Sequence, residues 1–250
     1  MEVNRKRVLI IGATSGIGYE LAQLYLKQDA IIGIAGRRID KLKEIQNQSP
    51  NQVHVEEIDI TQAKAIHQIQ KLIDKTKPID VFIQCAGIGY QNATLDKELE
   101  LQTVQTNCLG FTQSILTAYH YFKKQDKGHI VAISSIAGTK GLGIAPAYSA
   151  TKRMQNTYID ALEQLCYINN YNIHFTDIKP GFIKTPLLNT SKNNYPLIME
   201  VDVAAKKIFN AIEKKKRRPI IDWKFNALVF FWKLIPSFLW KQLPIKPKSK

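Results

Sequence analysis

A tyrosine and a lysine stand four residues apart in Tyr148-Ser-Ala-Thr-Lys152. At this spacing both side chains lie on one face of a helix. A free tyrosine has a pKa of about 10, so a neighbouring ammonium is needed to stabilise its phenolate near neutral pH. The pair predicts that Tyr148 transfers protons. Such a spacing also arises by chance on exposed helices, so the interpretation depends on the residues around it.

A glycine-rich loop follows the first apolar run and opens the first helical pattern. Glycines let the main chain approach phosphate groups, and the N-terminus of a helix attracts negative charge. The loop therefore predicts a dinucleotide site, with an ordinary tight turn as the alternative. Its cofactor-binding residues are Gly12, Thr14, Ser15, Gly16, Ile17 and Gly18.

Two arginines, Arg37 and Arg38, follow the second apolar run. A site for NAD normally carries an acidic residue here, which binds the adenosine ribose. The planar, permanently charged guanidinium suits phosphate oxygens instead, so the pair favours NADP(H). A solvated basic turn is the alternative.

Apolar runs bounded by turn residues alternate with segments of 3.6-residue periodicity along most of the chain. This alternation predicts an α/β fold of the Rossmann type, with a doubly wound parallel sheet flanked by helices. The predicted strands, about seven, are 7–11, 31–35, 53–58, 81–85, 129–134, 173–178 and 219–222. The predicted helices are 16–28, 40–48, 62–76, 99–124, 147–168 and 202–215. We expect one dinucleotide-binding and catalytic domain over residues 1–222, because 250 residues with 45% apolar content can bury one core.

Composition argues against several other classes of protein. Cys85, Cys108 and Cys166 are widely spaced, which predicts neither a disulfide framework nor a metal site. No apolar run reaches the roughly 18 residues of a membrane-spanning helix, so we expect a cytoplasmic protein. The net charge is +14, of which residues 214–250 carry +10. Because most of the net positive charge belongs to this end and is not spread over the chain, we expect no nucleic-acid partner.

Residues 223–250 form an amphipathic extension that is both basic and aromatic. Aromatic rings interspersed with lysines suit the interface of a bilayer, and the interrupted pattern predicts a segment that lies on the cytoplasmic face of a membrane. Packing over the substrate entrance and an oligomer interface are equally open. The aromatic residues are Trp223, Phe225, Phe230, Phe231, Trp232, Phe238 and Trp240, with lysines at 224, 233 and 241.

Several motifs occur in a fixed order along the chain. They are the loop from Gly12 to Gly18, Ala86-Gly87, Asn107, Ser134-Ser135, Tyr148 with Lys152, and Pro180-Gly181 followed by Thr185. This ordered set resembles the short-chain dehydrogenase/reductase family in its form of about 250 residues. The resemblance covers residues 5 to about 220.

The resemblance implies four catalytic residues. Tyr148 gives its proton to a carbonyl oxygen as hydride arrives from the nicotinamide, while Lys152 favours the phenolate and binds the nicotinamide ribose. Ser135 holds the substrate oxygen with a preplaced donor. Asn107 holds a water molecule that links Lys152 to the solvent.

The resemblance also implies further cofactor contacts. Asp59 accepts a hydrogen bond from the adenine amino group, and the segment from Pro180 to Thr185 brackets the nicotinamide carboxamide. The remaining expected contacts are Ile60, Ala86, Gly87, Gly181 and Ile183. The chain departs from the family in carrying Ile11 before the first glycine and Gln84-Cys85 before Ala86, where members usually have Thr and Asn-Asn. These departures concern the adenine side and leave the proton-handling residues in place.

These observations predict an NADP(H)-dependent reductase acting on a ketone or aldehyde. Segments 89–90, 136–144 and 187–199 are expected to line the substrate cleft, and their apolar residues favour a lipophilic substrate. One alternative is an alcohol or hydroxysteroid dehydrogenase working in the oxidative direction. Another is a non-catalytic NADP(H)-binding protein that recruits a partner through its tail. The resemblance also implies a homodimer or homotetramer.

Overall fold

The computed structural model describes residues 5–188, 193–195, 197–245 and 248–249. Its central sheet is parallel, as predicted. The strands are β1 (Arg7–Ile11), β2 (Ile31–Gly36), β3 (Val53–Glu57), β4 (Val81–Gln84), β5 (Gly128–Ile133) and β6 (Ile173–Ile178), in the order β3-β2-β1-β4-β5-β6. The chain reverses its direction across the sheet between β1 and β4, where open α/β sheets bind their ligands.

The register of the strands places several predicted site residues at one edge of the sheet. Ile11 of β1 lies opposite Ala35 of β2 on one side and Gln84 of β4 on the other. The segments that follow these strands, which carry the glycine loop, the two arginines and Ala86, therefore leave the sheet at the same level.

The seventh strand predicted at 219–222 is wrong, since this segment makes only an isolated parallel bridge between Lys179 and Ile220. Three main-chain hydrogen bonds join it to β6 and Lys179, with Arg217 O and Pro219 O as two of the acceptors. A second bridge would need a donor at position 219, where proline has no N–H. Asp222, at φ +80°, then turns the chain away from the sheet.

The helices match the predicted ones with shifted ends. They are α1 (Gly16–Lys27), α2 (Ile39–Gln48), α3 (Ala65–Thr76), α4 (Lys97–Val104), α5 (Phe111–Gln125), α6 (Pro146–Ile168) and α7 (Val201–Glu213). A π-helix, Gln105–Gly110, interrupts the predicted helix 99–124, and a 3₁₀-helix, Ile136–Thr139, follows β5. The third helix begins three residues later than predicted because Asp59 holds a turn, accepting from the main chain and hydroxyl of Thr61.

Apolar side chains cover both faces of the sheet. Successive residues of a strand point to opposite faces, so Val8 and Ile10 of β1 join one cluster and Leu9 and Ile11 the other. The first cluster is closed by α1, α2 and α7, and the second by α3, α5 and α6. The protein is thus a three-layer α/β sandwich.

Two helices that we did not predict lie in the C-terminal extension: α8 (Trp223–Leu234) and α9 (Ser237–Trp240). The inner face of α8 packs on the domain, where Phe225 and Val229 are buried against Ile136. Two-residue strands complete this end of the chain: β7 (Ile183–Lys184) pairs with β9 (Met199–Glu200), and β8 (Asn193–Asn194) with β10 (Lys248–Ser249). Within the described ranges, no helix is both long and apolar enough to traverse a bilayer.

Candidate active site

Tyr148 lies in the first turn of α6, which Pro146 begins. Its hydroxyl is hydrogen-bonded to the Ser135 hydroxyl at the end of β5. Burial raises the pKa of Tyr148, and the bond to Ser135 opposes this change. In the protein without bound ligands, the tyrosine is therefore held in its protonated form, next to the hydroxyl predicted to hold a substrate oxygen.

Lys152 follows one helical turn later and is buried beneath Tyr148. Its Nζ lies 5.8 Å from the centroid of the Tyr148 ring and donates to the main-chain oxygen of Ile133 (3.0 Å). Burial lowers the pKa of Lys152 to about 8, although Cys85, Asp177 and Cys108 raise it in part. Tyr148 and Lys152 therefore share one face of α6, as predicted. This face is buried in the interior of the protein.

The two serines after β5 point in opposite directions. The Ser135 Oγ accepts from the main-chain N–H of Ala137 (3.1 Å) and thereby caps the 3₁₀-helix beside Tyr148. The Ser134 hydroxyl instead donates to the Asp177 carboxylate and to the main-chain oxygen of Ile178. Asp177 in turn forms an ion pair with Lys179. Ser134 therefore fastens β5 to β6, while Ser135 faces the site.

Asn107 is buried in the π-helix. Its side chain accepts from the main-chain N–H of Ile88 (2.9 Å) and donates to the oxygen of Ile88 (2.7 Å) and to Thr151 Oγ1 (3.2 Å). It thereby joins the segment after β4 to α6. The main-chain oxygen of Asn107 accepts from Gln155 Nε2 (2.8 Å), and Gln155 Oε1 accepts from Lys152 Nζ (3.1 Å).

The glycine loop lies against the segment after β4. Gly12 has φ +94°, and a Cβ at this position would be 2.5 Å from the main-chain nitrogen of Ala86. The turn therefore excludes a side chain at Gly12, and a glycine here permits the close main-chain packing that the predicted pyrophosphate loop needs. Gly87 is also close to two of the predicted catalytic residues, because a Cβ there would lie 3.2 Å from Asn107 Oδ1 and 3.5 Å from Lys152 Nζ. Ile17 and Gly18 fall in the first turns of α1.

Arg38 reaches over the glycine loop. Its guanidinium donates to Thr14 Oγ1 and to Ser15 Oγ, both at 2.8 Å. Arg37 beside it is exposed. The permanent charge of Arg38 therefore stands beside two hydroxyl groups at the mouth of the predicted dinucleotide site, and this donor set suits a phosphate group.

The remaining predicted cofactor residues lie at both ends of this edge. Asp59 is partly buried, and Ile60 is buried against Gly110. At the other end, the main-chain oxygen of Pro180 accepts from the N–H of Ile136 (3.0 Å). The Thr185 methyl group lies 3.3 Å from the position of a Cβ on Gly16, so the segment after β6 returns to the glycine loop. Ile183 is buried in β7, and Gly181 lies beneath the ring of Phe225.

A search against protein-family models matches residues 6–196 to the family described as short chain dehydrogenase. The chain belongs to the short-chain dehydrogenase family. The resemblance inferred from the ordered motifs is confirmed.

Members of this family resemble the chain over most of its length. An uncharacterized oxidoreductase of Myxococcus xanthus is 28% identical over 94% of this chain and 95% of its own. Another, from Staphylococcus haemolyticus, is 30% identical over 76% of this chain and 83% of its own. The crystal structure of a short chain dehydrogenase from Burkholderia cenocepacia, in complex with NADP, has a TM-score of 0.81 at 20% identity and covers 97% of this chain and 99% of that one. Short-chain dehydrogenases therefore share the fold found here.

The two departures at the end of β4, Gln84 and Cys85, are part of the packing in this short-chain dehydrogenase. Gln84 is buried and its Nε2 donates to the main-chain oxygen of Ala86 (3.2 Å). Its Oε1 is buried and has no hydrogen-bond partner among the described residues. Burial also raises the pKa of the Cys85 thiol to about 12, so the thiol is un-ionised. Both residues support the segment that carries Ala86 and Gly87.

The substrate side of the short-chain dehydrogenase is described in part, since residues 189–192 and 196 of the predicted segment 187–199 lie outside the described residues. Gly89 approaches Tyr148, because a Cβ there would be 2.4 Å from Tyr148 Cδ2. Leu187 and Ile198 are exposed. A cavity of about 340 Å³, lined by Leu142, Pro146, Ser149 and Arg153 among others, lies to the side of the Ser135–Tyr148 pair.

The segment between Ser135 and Tyr148 is also fastened to the tail. Trp232 Nε1 donates to Thr139 Oγ1 (2.9 Å), and Trp240 Nε1 donates to the main-chain oxygen of Gly141 (2.7 Å). Lys140 donates to the oxygen of Ile235 (2.8 Å) and lies over the Trp240 ring. The tail aromatics at 232 and 240 therefore have a structural role that their composition alone did not indicate.

Gln155 is a component of the site that the sequence analysis missed. A glutamine within a helical pattern normally indicates a solvated face, and the motif that begins at Tyr148 ends at Lys152. The spacing of three residues from Lys152, which keeps the two side chains on one face of α6, is the signal that could have identified it.

Proposed function

We propose that this short-chain dehydrogenase is an NADP(H)-dependent reductase that converts a lipophilic ketone or aldehyde into an alcohol, with Tyr148 as the general acid. The observation that carries the proposal is the hydrogen-bonded pair of hydroxyl groups on Ser135 and Tyr148, with the Lys152 ammonium buried below the tyrosine ring. In this arrangement a proton donor, an oxygen-binding hydroxyl and a positive charge converge on one point.

Each of these residues has a distinct task in the proposed reaction. When bound, NADPH supplies the hydride. Tyr148 transfers its proton to the carbonyl oxygen, and the positive charge of Lys152 stabilises the phenolate that remains. Ser135 holds the oxygen with a donor that is already oriented by its contact with Ala137. Burial keeps Tyr148 protonated until a substrate oxygen accumulates negative charge beside it.

The proposed preference for NADP(H) rests on Arg38. Its guanidinium lies against Thr14 and Ser15 of the glycine loop, where the adenosine ribose of a dinucleotide binds in this fold. A permanently charged planar donor favours a 2′-phosphate over a free hydroxyl. The likeness to the Burkholderia cenocepacia enzyme, which was crystallised with NADP, supports this proposal.

The proposal is tested by following NADPH and, separately, NADH absorbance with acyl ketones, ketosteroids, long-chain aldehydes and small polar carbonyls. We expect oxidation of NADPH with the apolar compounds, and a loss of at least about 100-fold in the Tyr148→Phe variant. Binding of NADPH to Tyr148→Phe, measured by fluorescence, should be unchanged. Turnover that persists in this variant would remove Tyr148 as the acid.

We also propose that the tail brings the enzyme to the cytoplasmic face of an anionic membrane. The outer face of α8 and α9 exposes several apolar side chains beside Lys224, Lys233 and Lys241. A large exposed apolar patch next to basic residues suits peripheral binding to a bilayer, from which a lipophilic substrate could be taken. The outer-face residues are Trp223, Phe230, Phe231, Leu234 and Phe238.

We further propose a homodimer or homotetramer built on the long helices. Leu101 on α4, Leu116 on α5 and Ile168 at the end of α6 are exposed, and burying apolar residues of this kind stabilises subunit contacts. The oligomeric state is measured by sedimentation equilibrium, and we expect Leu101→Lys to weaken the association. A monomer at all concentrations would contradict the proposal.

A further inference from the structure

A buried amide joins the catalytic lysine to the π-helix. Gln155 is 1% exposed. Its Oε1 accepts from Lys152 Nζ at 3.1 Å, and its Nε2 donates to the main-chain oxygen of Asn107 at 2.8 Å. Both ends of this amide are therefore used, one by the ammonium and one by the helix that carries Asn107.

The π-helix explains why a main-chain oxygen can receive this bond. A change from i+4 to i+5 pairing shifts the hydrogen-bond register and releases carbonyl oxygens from the helical ladder, and such segments recur at functional sites. The oxygen of Asn107 faces α6 at this point, where Gln155 meets it. The Asn107 side chain is occupied separately with Ile88 and Thr151.

The ammonium of Lys152 is held from two directions. An ammonium has three protons to donate, and two of them are directed to Ile133 O and to Gln155 Oε1. These acceptors lie on β5 and on α6 itself, so the Nζ is fixed between the sheet and the helix. The third proton remains for the cofactor ribose that the family resemblance assigns to Lys152.

We propose that Gln155 is a positioning residue for proton transfer, which holds the Lys152 ammonium and occupies the place between Lys152 and Asn107 that the sequence analysis gave to a water molecule. An amide accepts and donates hydrogen bonds but does not readily pass a proton from one end to the other. The contact between Lys152 and Asn107 is thus a fixed support, and the protons consumed at Tyr148 are replaced from the cofactor and substrate side. This inference rests on the proposed function.

Lys152 also faces several ionisable groups, whereas its neighbour Gln155 is not ionisable. They are Cys85 after β4, Cys108 in the π-helix, Asp177 on β6 and Tyr148 on α6. The two thiols have raised pKa values because of burial, and Asp177 is paired with Lys179. Gln155 accepts from Lys152 without a charge of its own, so Leu and Glu at this position change the charge beside the ammonium in opposite senses, by none and by one negative charge. Both substitutions also remove the donor to the Asn107 oxygen, so a difference between them reports on the contact with Lys152.

The test compares Gln155→Leu and Gln155→Glu with a control, Gln46→Leu, which removes a similar amide far from the site on α2. The rate of NADPH-dependent reduction is measured from pH 6 to 10. Loss of the hydrogen-bond acceptor destabilises the Lys152 ammonium and lowers its pKa. In Gln155→Leu we therefore expect kcat to fall about tenfold or more and the alkaline decline of kcat to move to lower pH by about one unit. In Gln155→Glu the added carboxylate stabilises the ammonium, so the alkaline decline should move to higher pH. This variant should keep more activity than Gln155→Leu. Gln46→Leu should leave the profile unchanged.

A second measurement does not depend on turnover. The pKa of Lys152 is followed by NMR in the full-length protein with ¹³C-labelled lysine, with the signal assigned from Lys152→Met. It should fall in Gln155→Leu and rise in Gln155→Glu. If both variants titrate as the native protein does, Gln155 is only a packing residue and the inference is overturned. If the pKa moves as expected but no carbonyl compound is reduced, the proposed function fails while the support of Lys152 by Gln155 stands.

Discussion

At the scale of single residues, the site depends on a lysine that is charged where water is largely excluded. Among the residues that the structure describes, the Lys152 ammonium donates to Ile133 and Gln155 in place of water, and burial lowers its pKa to about 8. Tyr148, by contrast, has a raised pKa. The two groups are therefore both protonated at neutral pH, which is the state that reduction of a carbonyl requires.

This pair of pKa changes predicts the pH dependence of the reaction. Lys152 is protonated below its pKa and deprotonated above it, so kcat/KM for reduction, which reports the ionisations of the free enzyme, should decline as the pH rises through about 8. This decline should occur below the usual lysine pKa of about 10.4. The measurement is kcat/KM across this range, with the stability of the protein checked at each pH. A rate that stays constant to pH 9.5 would contradict the prediction.

The arginine at the cofactor end gives a second prediction at this scale. Replacing Arg38 by Asp removes a charge-assisted donor for phosphate and adds a repelling carboxylate, so KM for NADPH should rise about tenfold or more while KM for NADH rises less. Steady-state kinetics with both nucleotides measure the change. Lys43→Asp on α2 alters the charge equally without altering the loop contacts, and it should leave the preference intact. An unchanged preference in Arg38→Asp would exclude Arg38 as the phosphate ligand.

Sequence reasoning was effective for residues whose chemistry follows from short spacing. Tyr148 and Lys152 are predicted because four residues make one helical turn, whereas Ser135 is predicted through the family resemblance that the ordered motifs carry. Gln155 was missed because its role depends on the carbonyl of Asn107, which a shift of helical register presents from a distant part of the chain. No local pattern at residue 155 contains that information.

At the scale of elements, α8 is a helix with two unlike faces. Phe225 is 1% exposed and packs over Gly181, where a Cβ would be 2.3 Å from the Phe225 ring. Phe230, five residues later, is 60% exposed. Sequence periodicity did not separate these faces, because the helix is apolar almost all round and a period of 3.6 cannot be detected without polar positions. The seventh strand failed for a different reason, the missing N–H of Pro219.

The two phenylalanines of α8 provide a matched pair of substitutions. Phe225→Ala leaves a cavity over Gly181 and should lower the free energy of unfolding by about 3–5 kcal/mol. Phe230→Ala removes an exposed ring and should change it by no more than about 0.5 kcal/mol. Urea unfolding followed by circular dichroism compares them. Equal effects would show that the inner face of α8 is not packed on the domain as described.

At the scale of the whole molecule, net positive charge and exposed aromatic residues are concentrated in the C-terminal part of the chain. Residues 214–250 carry +10 of the net charge of +14, and the outer-face aromatics lie among them. Truncation after Asp222 would remove this surface, but it would also uncover Ile136, which Phe225 and Val229 cover. Substitutions on the outer face alone are therefore the better test of membrane binding.

The variant Phe230→Ser/Phe231→Ser/Leu234→Ser removes three outer-face side chains and keeps the inner face. We expect the native protein to sediment with vesicles that contain phosphatidylserine, less so as salt screens the lysines, and the triple variant to remain in the supernatant. Ile66→Ser on α3 removes an exposed apolar residue elsewhere and should bind as the native protein does. Absence of binding by the native protein at low salt would refute a membrane role for the tail.

The attachment of the tail to the segment between Ser135 and Tyr148 has a consequence for local opening. Thr139, Lys140 and Gly141 are each bonded to the tail, so a fluctuation that releases this segment must also release α8 and α9. Amide hydrogens of the two regions should then exchange with deuterium as one cooperative unit, because segments that open together share one opening free energy. The breathing motion that exposes Tyr148 to solvent is, on this basis, the same motion that loosens α8 and α9.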